Sequence, residues 1–419
     1  MSLFCVSALV ALQPVPALAA SKAKARPAQL SSSALVNAPL IETPQVSRET
    51  LAEHAPTRDV SLETLLQAAA RSAEIAAAEG KVTETKLRAK SVKAKRVLIF
   101  FKTFNAPYIE GSAESDIEAA EARLRQTLQD ELAQAAGLYL NWVQSLLEAE
   151  LADAQLMAAR ANLGQRQGEY VLGDLSQPEV IDQQLKTLQA QQALVKAMLQ
   201  SQKQVQAVRM LLQQLPDAAV PDLKAVTLVP EGLTLTRDAQ GVLSAASWQV
   251  PAWMNTLLPD VSGEDTRLAT PEQAGVWALK QRADMQDYGQ RLVSAQNLKK
   301  AAEKAFNPTQ AKIFSAMLTQ AQAKYVQAQQ STRLNALQAW QTWQAALNAL
   351  PAASQAVQLA DLLEEQAQSG RASGSFSALM GQQLSAQARA SQLQAVLAQV
   401  ALQQARLDLA YKLGIVTVK

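Results

Sequence analysis

Apolar side chains recur at every third or fourth position through most of the chain, the spacing of one face of an α-helix. The longest such run is predicted over about 115–171 and contains no proline. At the helical rise per residue it would be a rod of roughly 85 Å. A compact globular domain does not bury a helix of that length, so the pattern predicts a coiled coil.

A tight turn follows this helix at Gly173–Pro178. Gly173 ends the helix, Ser176 caps the next one, and Pro178 stands in its first turn. A second periodic run then returns as far as Leu215, before Pro216. Together they predict a long antiparallel helical hairpin.

The same order of elements recurs in the second half of the chain. An opening helix is predicted to begin at Ser61 and to continue past Leu87, and its counterpart begins at Thr270. Each is followed by a short break, a long helix, a glycine turn and a returning helix, and Gly173 matches Gly370 in this scheme. The second long helix, about 311–368, contains Pro351, which is predicted to kink it. The fold class predicted is all-α, made of duplicated coiled-coil hairpins.

The apolar stretch Met1–Leu12, followed by Ala17-Leu18-Ala19, predicts a cleaved secretory signal peptide and hence an exported protein. Prolines and short apolar runs between the repeats predict an irregular connector with one or two short strands. The chain then divides into a signal peptide (1–19), a Pro/Ala/Ser-rich arm (20–58), a first helical repeat (59–215), a connector (216–269), a second helical repeat (270–414) and a tail (415–419).

The amino-acid composition argues against catalysis and against metal or cofactor binding. The 419 residues include one Cys and one His, too few for a His/Cys metal cluster or a Cys-His nucleophile pair. No Gly-rich phosphate loop or nucleophile elbow is present. No catalytic residue, metal ligand or cofactor is therefore predicted. The net charge of +2, without an aromatic stacking platform, also argues against a nucleic-acid partner.

The duplicated hairpin behind a signal peptide resembles the outer-membrane factor family, the TolC-type export ducts. Val60–Ala70 looks like the opening of that family's first repeat. Arg282-Ala283-Asp284-Met285 is similar to the Arg-Pro-Asp-Leu opening of its second repeat. The segments Gly173–Ile181 and Gly370–Leu379 resemble the paired turns at the periplasmic tip of such ducts.

This resemblance implies a homotrimer whose helices form an α-barrel in the periplasm, with the tips facing an adaptor protein. Candidate tip residues for adaptor docking or gating are Gly173, Asp174, Leu175, Ser176, Glu179, Asp182, Gly370, Arg371 and Ser373. The three carboxylates among them either line a cation-attracting mouth, with Arg371 as a partner, or only cap a helix N-terminus.

The chain departs from the family at the other end of the helices. There the family has two long strands per repeat, which together close a membrane β-barrel. One membrane strand takes about 9–11 residues, whereas the breaks here are only 97–112 and 306–312. We therefore expect a duct without its own outer-membrane pore. Since the barrel is what fixes three subunits in the family, its absence leaves a ring larger than a trimer as an alternative.

Basic and aromatic residues crowd these breaks and would form a positive collar in a ring. The candidates are Lys93, Lys95, Arg96, Phe100, Phe101, Phe104, Lys299, Lys300 and Lys304. One hypothesis is docking on the inner leaflet of the outer membrane or on a separate pore protein. The alternative is an ordinary solvated helix face beside a packed loop.

The function predicted is a non-catalytic periplasmic duct or collar component of an envelope-spanning export, efflux or secretion machine, associated with the outer membrane. The alternative is a scaffold ring of a periplasm-spanning apparatus, of the pilus or flagellar type, that transports nothing itself.

Overall fold

A computed structural model describes residues 57–98, 106–215, 226–237, 243–252, 254, 270–304 and 308–416. The predicted signal peptide and nearly all of the predicted arm lie outside these residues. The elements are β1 (Thr57–Val60), α1 (Leu62–Ala69), α2 (Ala73–Leu98), α3 (Ala106–Leu172), α4 (Gln177–Leu212), β2 (Thr227–Pro230), β3 (Leu233–Arg237), β4 (Leu243–Trp248), α5 (Pro271–Gln281), α6 (Ala283–Lys304), α7 (Pro308–Ala372) and α8 (Ala378–Leu413).

The predicted all-α class and the duplicated hairpins are confirmed. Helices α3 and α7, of 67 and 65 residues, are the two long rods. In the half that contains the turns, the helices lie side by side in the order α4, α3, α8, α7. In the other half the order is α2, α3, α6, α7. Helices α2 and α4 therefore bound one edge of the layer, and α7 bounds the other.

Each repeat opens with two helices where the sequence pattern predicted one. In the first repeat the chain breaks after α1, and the Ser72 hydroxyl accepts a hydrogen bond from the Ile75 N–H at 3.3 Å to begin α2. In the second repeat Arg282 takes an extended conformation between α5 and α6. The predicted N-caps are correct: the side chains of Ser61 and Thr270 accept from the Thr64 and Gln273 N–H groups.

The breaks at the far end of the layer are shorter than the sequence predicted. Helix α2 reaches Leu98 and α3 begins at Ala106, so only residues 99–105 separate them. Residues 305–307 separate α6 from α7. Pro351 lies inside α7, which continues through it to Ala372. No helix of the described ranges has the length and apolar character needed to cross a membrane.

Part of the connector forms two small sheets. Strand β2 pairs in parallel with β1, from Thr57 opposite Thr227 to Val60 opposite Pro230. Strands β3 and β4 form an antiparallel hairpin that begins with Leu233 opposite Trp248. The pairing of β1, at the boundary between the arm and the first repeat, with the connector was not predicted.

The main core lies where these strands meet α1, α3 and α8. Tyr139 and Trp142 of α3 are fully buried there, and the Tyr139 hydroxyl donates to the Glu231 carbonyl. Arg237 of β3 donates to the buried carboxylate of Glu150 on α3 at 2.5 Å. Trp343 packs in a second cluster between α5, α7 and α8, edge-on to Trp340.

Candidate docking tips and layer edges

The first tip is the turn between α3 and α4. Gly173 has a φ of 87°, a conformation that favours glycine. Its N–H donates to the Tyr170 carbonyl and the Asp174 N–H donates to the Glu169 carbonyl, both at 3.0 Å, which closes the end of α3. Asp174 is exposed beyond this turn, and Leu175 is half-buried.

The carboxylates that follow are held by their own helix. Glu179 accepts from the Ser176 N–H at 2.9 Å and from the Ser176 hydroxyl at 2.6 Å. The hydroxyl and the N–H of Ser176 lower the pKa of Glu179. Asp182 pairs with Lys186 at 2.7 Å. The Ser176–Glu179 contact is that of the capping alternative, and it leaves Glu179 exposed at the tip.

Two apolar side chains at this tip were missed by the sequence analysis. Val171 and Leu172 end α3 and are 82% and 77% exposed. A signal was available, because the apolar period of α3 runs on to the turn itself. Exposed apolar side chains beside a rigid turn are suited to contact a partner.

The second tip, between α7 and α8, differs from the predicted match. The residue in the left-handed conformation is Gly374, with a φ of 70°, and the N-cap of α8 is Ser377, whose hydroxyl accepts from the Met380 N–H. Gly374 is therefore the counterpart of Gly173. Gly370 instead lies buried in the last turn of α7. A Cβ at this position would stand 2.1 Å from the ring of Phe376.

The side chains of this tip are tied to the hairpin itself. Arg371 lies over Gly381 of α8 and donates to the Ser385 hydroxyl at 3.4 Å. The Ser373 hydroxyl donates to the Gly370 carbonyl at 3.2 Å. Arg371 therefore stabilises its own hairpin and makes no contact with the carboxylates of the first tip within the described residues.

The two edges of the layer expose most of the large apolar side chains that the described residues leave uncovered. Along α4 they recur at heptad spacing, and along α7 they run from one end towards the other. On α4 these are Ile181, Leu185, Leu188, Val195 and Leu199, with Met210 nearer the end of the helix; on α7 they are Ile313, Met317, Val326, Leu334, Leu359 and Leu362.

The basic residues at the far end are described only in part. Phe100, Phe101 and Phe104 lie outside the described residues, as do the side chains of Lys93, Lys95 and Arg96. On α6, Lys299 pairs with Glu303 at 3.7 Å, and Lys300 and Lys304 are exposed. The structure thus brings Lys299, Lys300 and Lys304 to one end of one helix.

Comparison with known proteins identifies the fold. No protein-family model matches the chain, and no curated protein matches it significantly. Among solved structures, it is similar to the outer membrane protein VceC from Vibrio cholerae, with 14% identity, a TM-score of 0.57, and coverage of 84% of this chain and 96% of VceC. The CmeC outer membrane channel of Campylobacter jejuni gives 11% identity and a TM-score of 0.57, over 84% of this chain and 85% of CmeC.

CusC, described as forming a transmembrane channel, gives 14% identity and a TM-score of 0.57, with coverage of 87% of this chain and 95% of CusC. The chain therefore has the fold of TolC-type outer-membrane channels, as the resemblance of its repeats and turns implied. At such identities, the likeness establishes the fold alone.

Proposed function

We propose that this protein, a chain with the fold of TolC-type outer-membrane channels, is a non-catalytic periplasmic duct or collar of an envelope-spanning export machine. The observation that carries the proposal is the pair of exposed apolar edges on a single layer of helices. Rows of this kind on opposite edges of one layer fit copies of the same chain arranged side by side.

The exposed edges are the surfaces through which the proposed ring would close. Helix α4 exposes Leu185 and Leu199, and α7 exposes Leu359 and Leu362, all of them more than half uncovered. Apolar rows at helical spacing gain free energy when they pack against another helix. When the α7 edge of one copy packs on the α4 edge of the next, both rows are covered and the layer closes into a homo-oligomeric tube. The resemblance to TolC-type ducts favours a trimer, and a larger ring is the alternative.

The tips then lie together at one mouth of the tube, towards a periplasmic adaptor protein. Val171 and Leu172 supply an exposed apolar contact beside the rigid Gly173 turn. The Arg371–Gly381 contact keeps the second tip in one shape. Adaptor docking at these two turns is the role we propose for them.

The opposite end supports a duct without its own pore. The segment 99–105 is shorter than the about 9–11 residues of a single membrane strand, and 305–307 is shorter still. A separate pore protein or the membrane surface would complete the path. The basic collar, including Lys93, Lys95 and Arg96, would make that contact; neutralising these three cations should then release the protein from outer-membrane fractions.

The native mass of the protein purified without detergent, followed by imaging of the particles, tests the proposal. We expect a ring of three or more copies with an open, water-filled bore. A stable monomer would overturn the ring. A ring with a sealed bore would instead favour the scaffold function, in which the tube stiffens an apparatus and transports nothing.

A further inference from the structure

A cationic cleft lies across α2, α3 and α6, away from both tips. Its cavity measures about 290 Å³. Charged side chains from all three helices line it, above a floor of alanines of α2 and α3: Lys81, Arg88, Asp116, Arg123 and Arg291. Because α3 lies between α2 and α6, the cleft crosses one face of the layer beside its α2 edge.

Each cation in this cleft is oriented by an ion pair but keeps hydrogen-bond donors for a ligand. Lys81 and Arg88 share one carboxylate, Glu84, with Lys81 at 2.8 Å. Arg123 and Arg291 share the buried carboxylate of Asp287, at 3.1 and 2.6 Å. A guanidinium carries five N–H donors, so each arginine keeps donors beyond its ion pair. Two carboxylates thus orient four cations around one cavity.

The remaining carboxylate of the lining does not cancel this charge. Asp116 accepts from the Ser294 hydroxyl at 3.1 Å, and Ser294 also shares a hydrogen bond with Ser112. With Glu84 and Asp287 counted, cations still outnumber carboxylates around the cleft. The cleft therefore favours an anion.

We propose that this cleft binds a phosphate group. Its donors come from three helices, so they approach a ligand from different directions. The oxygens of a tetrahedral phosphate point in different directions and can accept from all three helices. A planar carboxylate accepts hydrogen bonds only within one plane. The alanine floor, with Ala89 and Ala120, leaves room beside the charges for an apolar portion of the ligand. Free phosphate and the phosphate headgroup of a lipid share this chemistry.

Isothermal titration calorimetry on the purified full chain at low ionic strength tests the site. One titrant is inorganic phosphate and the other is a short-chain phosphatidic acid below its micelle concentration. Binding of both would identify the phosphate itself as the ligand. Binding of the lipid alone would assign the site to a lipid headgroup. Heat from neither titrant at millimolar concentration would overturn the proposal.

A matched pair of variants separates this cleft from general surface charge. Lys81→Gln with Arg88→Gln removes two cations whose side chains are 56% and 74% exposed, so folding should be retained. We expect affinity to fall about tenfold or more. Lys86→Gln with Lys90→Gln removes two charges from the same helix outside the lining and should leave affinity unchanged. Equal effects of the two pairs would contradict the site.

Discussion

The ring of Phe376 occupies the space where a side chain at Gly370 would begin, with its Cδ2 atom 2.1 Å from an ideal Cβ position. Gly370 is helical and buried, so the glycine is needed for this contact and not for a turn conformation. The contact folds the segment after α7 back onto the helix. The Phe376 N–H reinforces it by donating to the Gly370 carbonyl at 3.1 Å.

Gly370→Ala should therefore loosen the second tip. The free-energy cost of displacing the Phe376 ring exceeds the gain in helix propensity from alanine. We expect the free energy of opening the turn to fall by about 1 kcal/mol. Amide hydrogen exchange at 373–377 should speed up accordingly. Gly168→Ala is the control, since nothing lies within 4 Å of its Cβ position in α3. Unchanged exchange in Gly370→Ala would contradict the packing argument.

The first tip should weaken in acid. Hydrogen bonds from Ser176 lower the pKa of Glu179 below its ordinary value of 4.5. A carboxylate with a lowered pKa stabilises the folded state above its unfolded pKa, and the contribution is lost as the pH falls through the folded pKa. We expect the amides of 176–179 to exchange faster below about pH 4, after correction for intrinsic exchange. Glu179→Gln should abolish this pH dependence; a dependence that persists would assign it to another group.

The local signals in the sequence predicted the helices well. Ser61, Thr270 and Ser176 each stand directly before an apolar-periodic run, and helix ends depend on just such neighbours. The interruption at Ser72 was missed, because a break in a helix that keeps its apolar period depends on packing. The pairing of β1 with β2 was missed for a related reason: strands of four residues carry too little pattern to identify a distant partner.

The sequence also predicted only some features of the candidate tips and edges. The Gly173 turn was recognised because a glycine and a capping serine are adjacent in sequence. The match of Gly370 with Gly173 was wrong, since Gly370 is constrained by Phe376, a contact that spacing alone does not reveal. The exposed rows on α4 and α7 look like core positions in the sequence. Only the order of the helices in the layer shows that they lie at its edges.

Removing Arg237 should destabilise the junction between β3 and α3. Glu150 is buried and is held by Arg237, which is itself one third exposed. Arg237→Met leaves the carboxylate without this guanidinium, and we expect a loss of about 2 kcal/mol in the free energy of unfolding, after allowing for solvent screening. Urea unfolding would measure it. Glu150→Gln in the same chain should recover part of the loss, and Lys186→Met, which breaks an exposed pair with Asp182, should cost less than about 1 kcal/mol.

Charges placed on the α4 edge should prevent assembly without unfolding the protomer. Leu185 and Leu199 are 53% and 54% exposed in the single chain, so glutamate at both positions is tolerated there. In a ring the same carboxylates would be desolvated against the next copy, at a cost of several kcal/mol per interface. We expect Leu185→Glu with Leu199→Glu to reduce the native mass to that of one protomer, while circular dichroism keeps its helical signal.

Leu172→Glu is the reciprocal test, because it places the same charge on an apolar side chain at the tip. Leu172 is 77% exposed and lies beyond the edge rows, so native mass should be unchanged. Export activity in cells should fall instead, because the apolar contact proposed for the adaptor is lost. If Leu172→Glu dissociated the ring and the α4 variant did not, the subunit contact would involve the tips, and the assignment of the two surfaces would be reversed.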